Sequence, residues 1–332
     1  MARHLFTIGL LILALAAIWL FMAVWPEWLS DLIGGKRLFV NTILNGVTLA
    51  GLYFLVASGF TLVFGLMRNV NLAHGSLYLL GGYIGFEVAD DTGSWYLGVA
   101  AGFLAMAAAG VVMQAGVFRR MENDPLRQTL VTIGISIVLA DLMLWVWGGR
   151  TYQFDPPEWL MTSTSTPIVT SVKDDGTEIL LAYPTVRLML LVLAVAIGVG
   201  LWLFLNRTRI GMMIRAGVDD RRMLAATGIN EQLVFVVVFA LGAGLAGFAG
   251  VIGGSAFSIS PGEDTRTLLA SLVVVIVGGM GSIAGAAIGA LLIGLAEQIG
   301  LAYLPTYGVV FTFLIMIVVL AVRPQGIMGR AA

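Results

Sequence analysis

The sequence predicts an all-α, polytopic membrane protein, and three observations carry that expectation. Hydrophobic residues fill 59% of the 332 positions and charged residues 11%, where a soluble domain carries about 25% charged residues. Apolar runs near the ~20 residues that cross a bilayer as a helix recur along the whole chain. The polar interruption Asn206–Asn230, rich in arginine, sits between two such runs, 186–205 and 233–253. The runs amount to about eight to ten membrane segments, some short or broken, in a single transmembrane domain over 1–332.

In chain order, residues 5–25 form an apolar run longer than the ~7–15-residue core of a secretory signal. They are expected to make a span of their own, starting on the cytoplasmic side and followed by interfacial Trp25, Pro26 and Trp28. The run 39–67 exceeds the length a crossing needs and is expected to tilt or break near Ser58-Gly59. A polar turn with Asn69, Asn71, His74 and Ser76 precedes an apolar run at 77–89. Further spans are expected at 95–118, 126–148, 186–205 and 233–253. They are followed by a segment at 268–280, a glycine-rich run at 281–299 and a last span at 305–322, with Pro305 at a first-turn position.

Alternating these segments across a bilayer leaves Lys36, Arg37, Arg150, Lys173, Arg187 and Arg266 outside. The remaining basic residues, all arginine and the larger group, fall inside. That bias places both termini in the cytoplasm. The external loop 149–185 then carries Asp155, Glu158, Asp174, Asp175 and Glu178, with turn residues at Pro156-Pro157 and 173–176. It reads as a solvated loop, or as an acidic face that receives a partner protein.

The cytoplasmic loop 206–232 holds a helix signal at 219–227. Asp219 and Asp220 would be its cap and first-turn acids, and Gly228 its stop. By composition it is either a solvated segment that sets topology or a helix that docks a soluble partner. Small residues recur every four positions at Gly242, Ala246, Gly250 and Gly254, and again at Gly281, Gly285 and Gly289. Such faces let helix backbones approach closely in lipid. The glycine-rich, interrupted regions 58–85 and 242–289 fall in opposite halves of the chain, as in a pseudo-symmetric transporter core.

Enzyme chemistry has little to stand on. There is no cysteine, and the two histidines, His4 and His74, cannot build a histidine-rich metal centre. No P-loop, zincin motif or nucleophile elbow is present. His74 and Ser76, two positions apart, diverge on a helix and do not suit an intramembrane protease. Candidates for a solute or ion pathway are Asn45, Asn71, His74 and Ser76, together with the intramembrane acids Asp141 and Glu297. The acids would serve an ion-coupled secondary transporter. Helix capping explains the polar cluster equally well, as a polar partner does Asp141 and an interfacial position Glu297.

Four stretches resemble the integral permease subunits of branched-chain amino acid ABC importers, in particular the H-type subunit of the Liv system. They are NGVTLAGLYFLVASGFTLVFGLMRNVNLAHGSLYLLGGY (45–83), RTRIGMMIRAGVDDRRMLAATGIN (207–230), GGMGSIAGAAIGALLIGLAEQIG (278–300) and RPQGIMGR (323–330). The resemblance implies a heterodimeric pore shared with a second, M-type permease. It also implies two cytoplasmic ATPases that bind ATP and Mg, and a periplasmic solute-binding protein, in the bacterial inner membrane. No cofactor would reside in this chain, and nothing points to nucleic acid. Arg215, Ala216, Gly217, Asp219, Asp220, Leu224, Ala225 and Gly228 would then form the loop that couples to the ATPases. The implied substrates are branched-chain amino acids, with urea, amides and aromatic or carboxylic acids as alternatives within the class. The span 5–25 and the loop 149–185 depart from the family pattern.

Overall fold

The computed structural model describes residues 35–67, 70–121, 124–172, 178–219 and 228–329. The span expected over 5–25 lies outside the described residues. A single unbroken helix, α1 (Lys36–Met67), forms the axis of the molecule and is buried on nearly every side from Thr48 to Val63. The break expected near Ser58-Gly59 does not occur. Ser58 Oγ donates to the Leu55 carbonyl at 2.8 Å. Gly59 lies against Gly242, where an added Cβ would come 3.2 Å from the Gly242 carbonyl carbon. The small pair is a contact point between helices, so it removes side-chain bulk without interrupting the backbone ladder.

Helix α2 (His74–Thr92) ends at Gly93, whose φ of 66° closes it in the left-handed conformation. Helix α3 (Trp95–Val112) continues through a π-turn at Met113–Val117 and a 3-10 turn at Phe118–Met121. Helix α4 (Pro125–Trp147) starts on Asp124, whose side chain accepts from the Arg127 amide, with Pro at the start where no amide donor is missed. The stretch 149–185 holds two strands. Strand β1 (Ser163–Val172) pairs antiparallel with β2 (Glu178–Pro184), Ser163 opposite Pro184. The turn expected at 173–176 lies outside the described residues.

Helix α5 (Thr185–Arg207) leads directly into α6 (Arg209–Asp219). Helix α7 (Glu231–Ala256) is capped by Asn230, whose side chain accepts from the Gln232 and Leu233 amides. Helices α8 (Glu263–Gly278), α9 (Ile283–Tyr303) and α10 (Gly308–Val322) complete the order. Pro305 does not open the last helix. It sits in a separate 3-10 turn, Pro305–Tyr307, ahead of it. Among the described residues, six helices are long and apolar enough to cross a membrane: α1, α3 through Met121, α4, α5, α7 and α9.

The glycines show how these helices approach. A Cβ on Gly250 of α7 would collide with the Tyr78 carbonyl oxygen of α2 and stand 2.8 Å from the Gly82 amide. A Cβ on Gly242 would meet the Gly59 carbonyl oxygen at 2.9 Å, and one on Gly289 the Gly278 amide nitrogen at 3.0 Å. Gly285 and Gly278 face each other backbone to backbone. Two members of the ladders act differently. Gly281 has φ 83° and lies in the turn ahead of α9, against Gly65, and Gly254 receives the Phe154 ring rather than a helix. Burial then follows from packing density, since close backbones leave no room for lipid tails.

Candidate functional site

Small side chains open a cavity of about 1120 Å³ between α1, α5, α6 and the start of α9. Ala50 and Gly51 of α1, Ala194 and Gly198 of α5, and Ala284 and Ala287 of α9 thin the walls. Towards the β-hairpin the lining is apolar, with Val47, Phe54, Leu191 and Val195. Polar groups gather at the opposite end, where α5 passes into α6. Arg215 of α6 lines that end and donates from Nη1 to Asn206 Oδ1 at 2.8 Å. Thr61 of α1 also contributes to the wall, although its hydroxyl oxygen has almost no accessible surface. Ser282 lines it too, and accepts from the Gly285 amide as the cap of α9. Arg215 is the only charged side chain among the described lining residues.

The pathway candidates drawn from sequence lie elsewhere. Asn45 is a tie to the hairpin: its Oδ1 accepts from Arg187 Nη1 at 2.8 Å and from the Tyr183 hydroxyl at 3.1 Å. Tyr183 also shares a 2.8 Å hydrogen bond with Thr48. Asn71 Oδ1 accepts from the Ala73 amide at 3.1 Å and shapes the turn into α2. His74 is buried, with Nε2 3.1 Å from the Val56 carbonyl and its ring edge-on to Phe60 at 5.4 Å. Ser76 joins α2 to α4 through Ser136 Oγ at 2.8 Å and reaches Asp264 Oδ2 of α8 at 3.4 Å.

The two acids part company. Asp141 stands on the exposed side of α4. Glu297 is buried: it accepts from the Tyr53 hydroxyl at 2.7 Å and pairs with Arg266 Nη2 at 2.9 Å. None of the six candidates lines the cavity. Several buried polar groups, His74, Ser76, Asp264 and Glu297 among them, tie one helix to another, as expected where no water can satisfy them. Sequence reasoning missed Thr61, Asn206 and Trp202 in the cavity wall, and Tyr53, Asp264 and Arg266 in the ties. A lone polar residue in an apolar run was the only signal available for most of them.

Of the stretch expected to couple to the ATPases, α6 and Gly228 are described. Asp219 is the last residue of α6, and the rest of the helix expected over 219–227 lies outside the described residues. Gly211, Ile214 and Gly217 form the buried side of α6, while Arg215 and Ala216 are exposed. Gly228 has φ 81°, a conformation that glycine alone adopts without strain. Asp220, Leu224 and Ala225 lie outside the described residues.

Removing the Tyr183 hydroxyl tests the hairpin tie directly. Tyr183→Phe should cost about 1–2 kcal/mol, because Thr48 and Asn45 both lose a buried partner. Thermal unfolding of the purified protein measures it, and an unchanged midpoint would mean the hairpin is not held by this contact.

The profile of the family described as "Branched-chain amino acid transport system / permease component" matches residues 42–320. The chain belongs to this family. Its relatives include the LivH permease protein of the high-affinity branched-chain amino acid transport system of Salmonella typhimurium, 31% identical over 309 residues. That match covers 88% of this chain and 96% of the relative. The corresponding BraD protein of Pseudomonas aeruginosa is 29% identical over 304 residues, covering 88% and 96%. LivM of Escherichia coli K12 is 26% identical over 344 residues, covering 98% of this chain and 75% of that protein. No solved structure matches. This permease is therefore a multi-pass inner-membrane transport subunit of the LivH/BraD type, without catalytic chemistry of its own.

Proposed function

We propose that this permease is the H-type half of an ATP-driven importer that carries branched-chain amino acids into the cytoplasm. The observation that carries the reading is the cavity between α1, α5 and α9 with α6 at one end. Rigid helices locked by backbone contact can move as bodies around such a space. Two ATPase subunits would grip the chain between Ala216 and Gly228 on the cytoplasmic side, with ATP and Mg held in those partners. The second permease would complete the pathway, and the likeness to LivM as well as LivH fits two related halves. The hairpin β1–β2 offers a structured external face for a solute-binding protein. Apolar walls suit the side chains of leucine, isoleucine and valine. Urea and polar amides would find few partners there.

An ion-coupled carrier built on Asp141 and Glu297 is the reading from another class. Both acids lie away from the cavity, and Glu297 already has its hydrogen-bonding partners, which speaks against it. Reconstitution in liposomes separates the two. The complete importer should accumulate labelled leucine only with ATP and the binding protein, and the isolated chain should accumulate none. Vanadate-insensitive, gradient-driven uptake by the chain alone would overturn the proposal.

A further inference from the structure

We infer that the α6 end of the cavity is a seat for the carboxylate of the solute, with Arg215 as its specificity-determining residue; this rests on the transport reading above. Two independent features converge there. The first is charge. Arg215 brings the one formal charge among the described lining residues, and its tie to Asn206 Oδ1 uses one of the five N–H donors of a guanidinium. Among the described residues it forms no ion pair. The second is the start of α9. Ser282, Ile283 and Ala284 all line the cavity, so the positive end of a 21-residue helix opens onto it. The amides of Ile283 and Ala284 have no acceptor among the described residues, as the first donors of a helix do not.

Elsewhere the walls are apolar, so a solute with a hydrocarbon body has one orientation that satisfies both ends. Its carboxylate meets the donors near Arg215, and its side chain lies against α1 and α5. An anion in an apolar cavity without such donors carries a large desolvation cost. Discontinuous or newly started helices that aim their N-termini at anionic groups are a recurrent transporter solution to that cost. Arg215 thus belongs to the cavity side of α6, and the coupling surface begins at Ala216.

The test uses the assembled importer in phosphatidylcholine nanodiscs, without nucleotide or binding protein. Trp202 lines the cavity and serves as reporter, the signal being the fluorescence change that Trp202→Phe abolishes. Leucine and 4-methylpentanoate should give saturable titrations, and leucinamide, which has the same body without the carboxylate, should bind more weakly. Arg215→Gln should weaken both carboxylates about tenfold or more and leave leucinamide unchanged. Arg215→Lys should restore most of the discrimination. Equal weakening of leucine and leucinamide would overturn the inference, as would the absence of a Trp202-dependent signal. A response to phosphatidylglycerol but not to carboxylates would reassign the seat to anionic lipid. Loss of the ATPase subunits from the Arg215→Gln complex, with discrimination intact, would move Arg215 to the motor-docking surface. Because binding is read at equilibrium, a failure of ATP-driven uptake would count against the proposed function and leave this result standing.

Discussion

Gly250→Ala is expected to destabilise the detergent-solubilised permease by about 1–3 kcal/mol, and Gly250→Leu by enough to prevent recovery of folded protein. The reason is what the new Cβ meets. It would collide with the carbonyl oxygen of Tyr78 and stand 2.8 Å from the amide nitrogen of Gly82, both main-chain atoms of α2. A side chain can turn away from an intruding methyl group, whereas a helix backbone can yield only by moving the whole helix. That movement would part α2 from α7 and disturb the neighbouring close contact of Gly81 with Gly247. Gly134 on the exposed side of α4 is the matched control, since nothing lies within 4 Å of its Cβ position. Gly134→Ala should stay within about 0.5 kcal/mol of the parent. Thermal unfolding of the three variants decides the matter, and equal costs at Gly250 and Gly134 would show that backbone contact does not set the packing.

Part of this architecture is written in the sequence. Gly250 and Gly289 announce their contacts because a four-residue spacing of small side chains has few uses in a membrane helix other than close approach. The same cue misleads at Ser58-Gly59, where the small pair resembles a break and is in fact the place where α1 and α7 touch. Spacing reports that bulk is missing, and only the neighbour shows why. The hairpin was hidden for a different reason. Strand β1 carries Pro167 within a Ser/Thr-rich run, and its pairing with β2 shifts register between Ser165 and Val169, so the two-residue alternation that marks a strand is lost. At the cavity, Arg215 was visible as a basic residue of the polar stretch 206–232, but its orientation depends on Asn206 in the preceding helix. Glu297 was visible as an acid in an apolar run. Its partner, 31 residues earlier in the chain, was not. Local pattern carries the faces of helices; long-range pairing settles what a polar residue on such a face is for.

That pairing supports the second large effect. Arg266→Met is expected to cost about 3 kcal/mol, because it leaves the buried Glu297 carboxylate with the Tyr53 hydroxyl as its remaining partner. The reverse change is milder. Arg266 is half-exposed and also approaches Glu263 at 3.5 Å, so Glu297→Gln leaves the guanidinium with water and a second acid. The glutamine oxygen still accepts from Tyr53, and the cost should be about 1 kcal/mol. Replacing the set together, with Arg266→Met, Glu297→Leu and Tyr53→Phe, should recover most of the loss, since no buried polar atom is then stranded. The order of the single variants follows from burial: of the two ions, Glu297 is the one that solvent cannot reach. The same variants separate a tie between helices from a proton carrier. If the contact only joins α1, α8 and α9, Glu297→Gln retains ATP-driven uptake in the assembled importer and shifts the unfolding midpoint slightly. If Glu297→Gln abolished uptake with the midpoint unchanged, the carboxylate would be taking part in transport itself, and its burial would have to be a stage in a proton path.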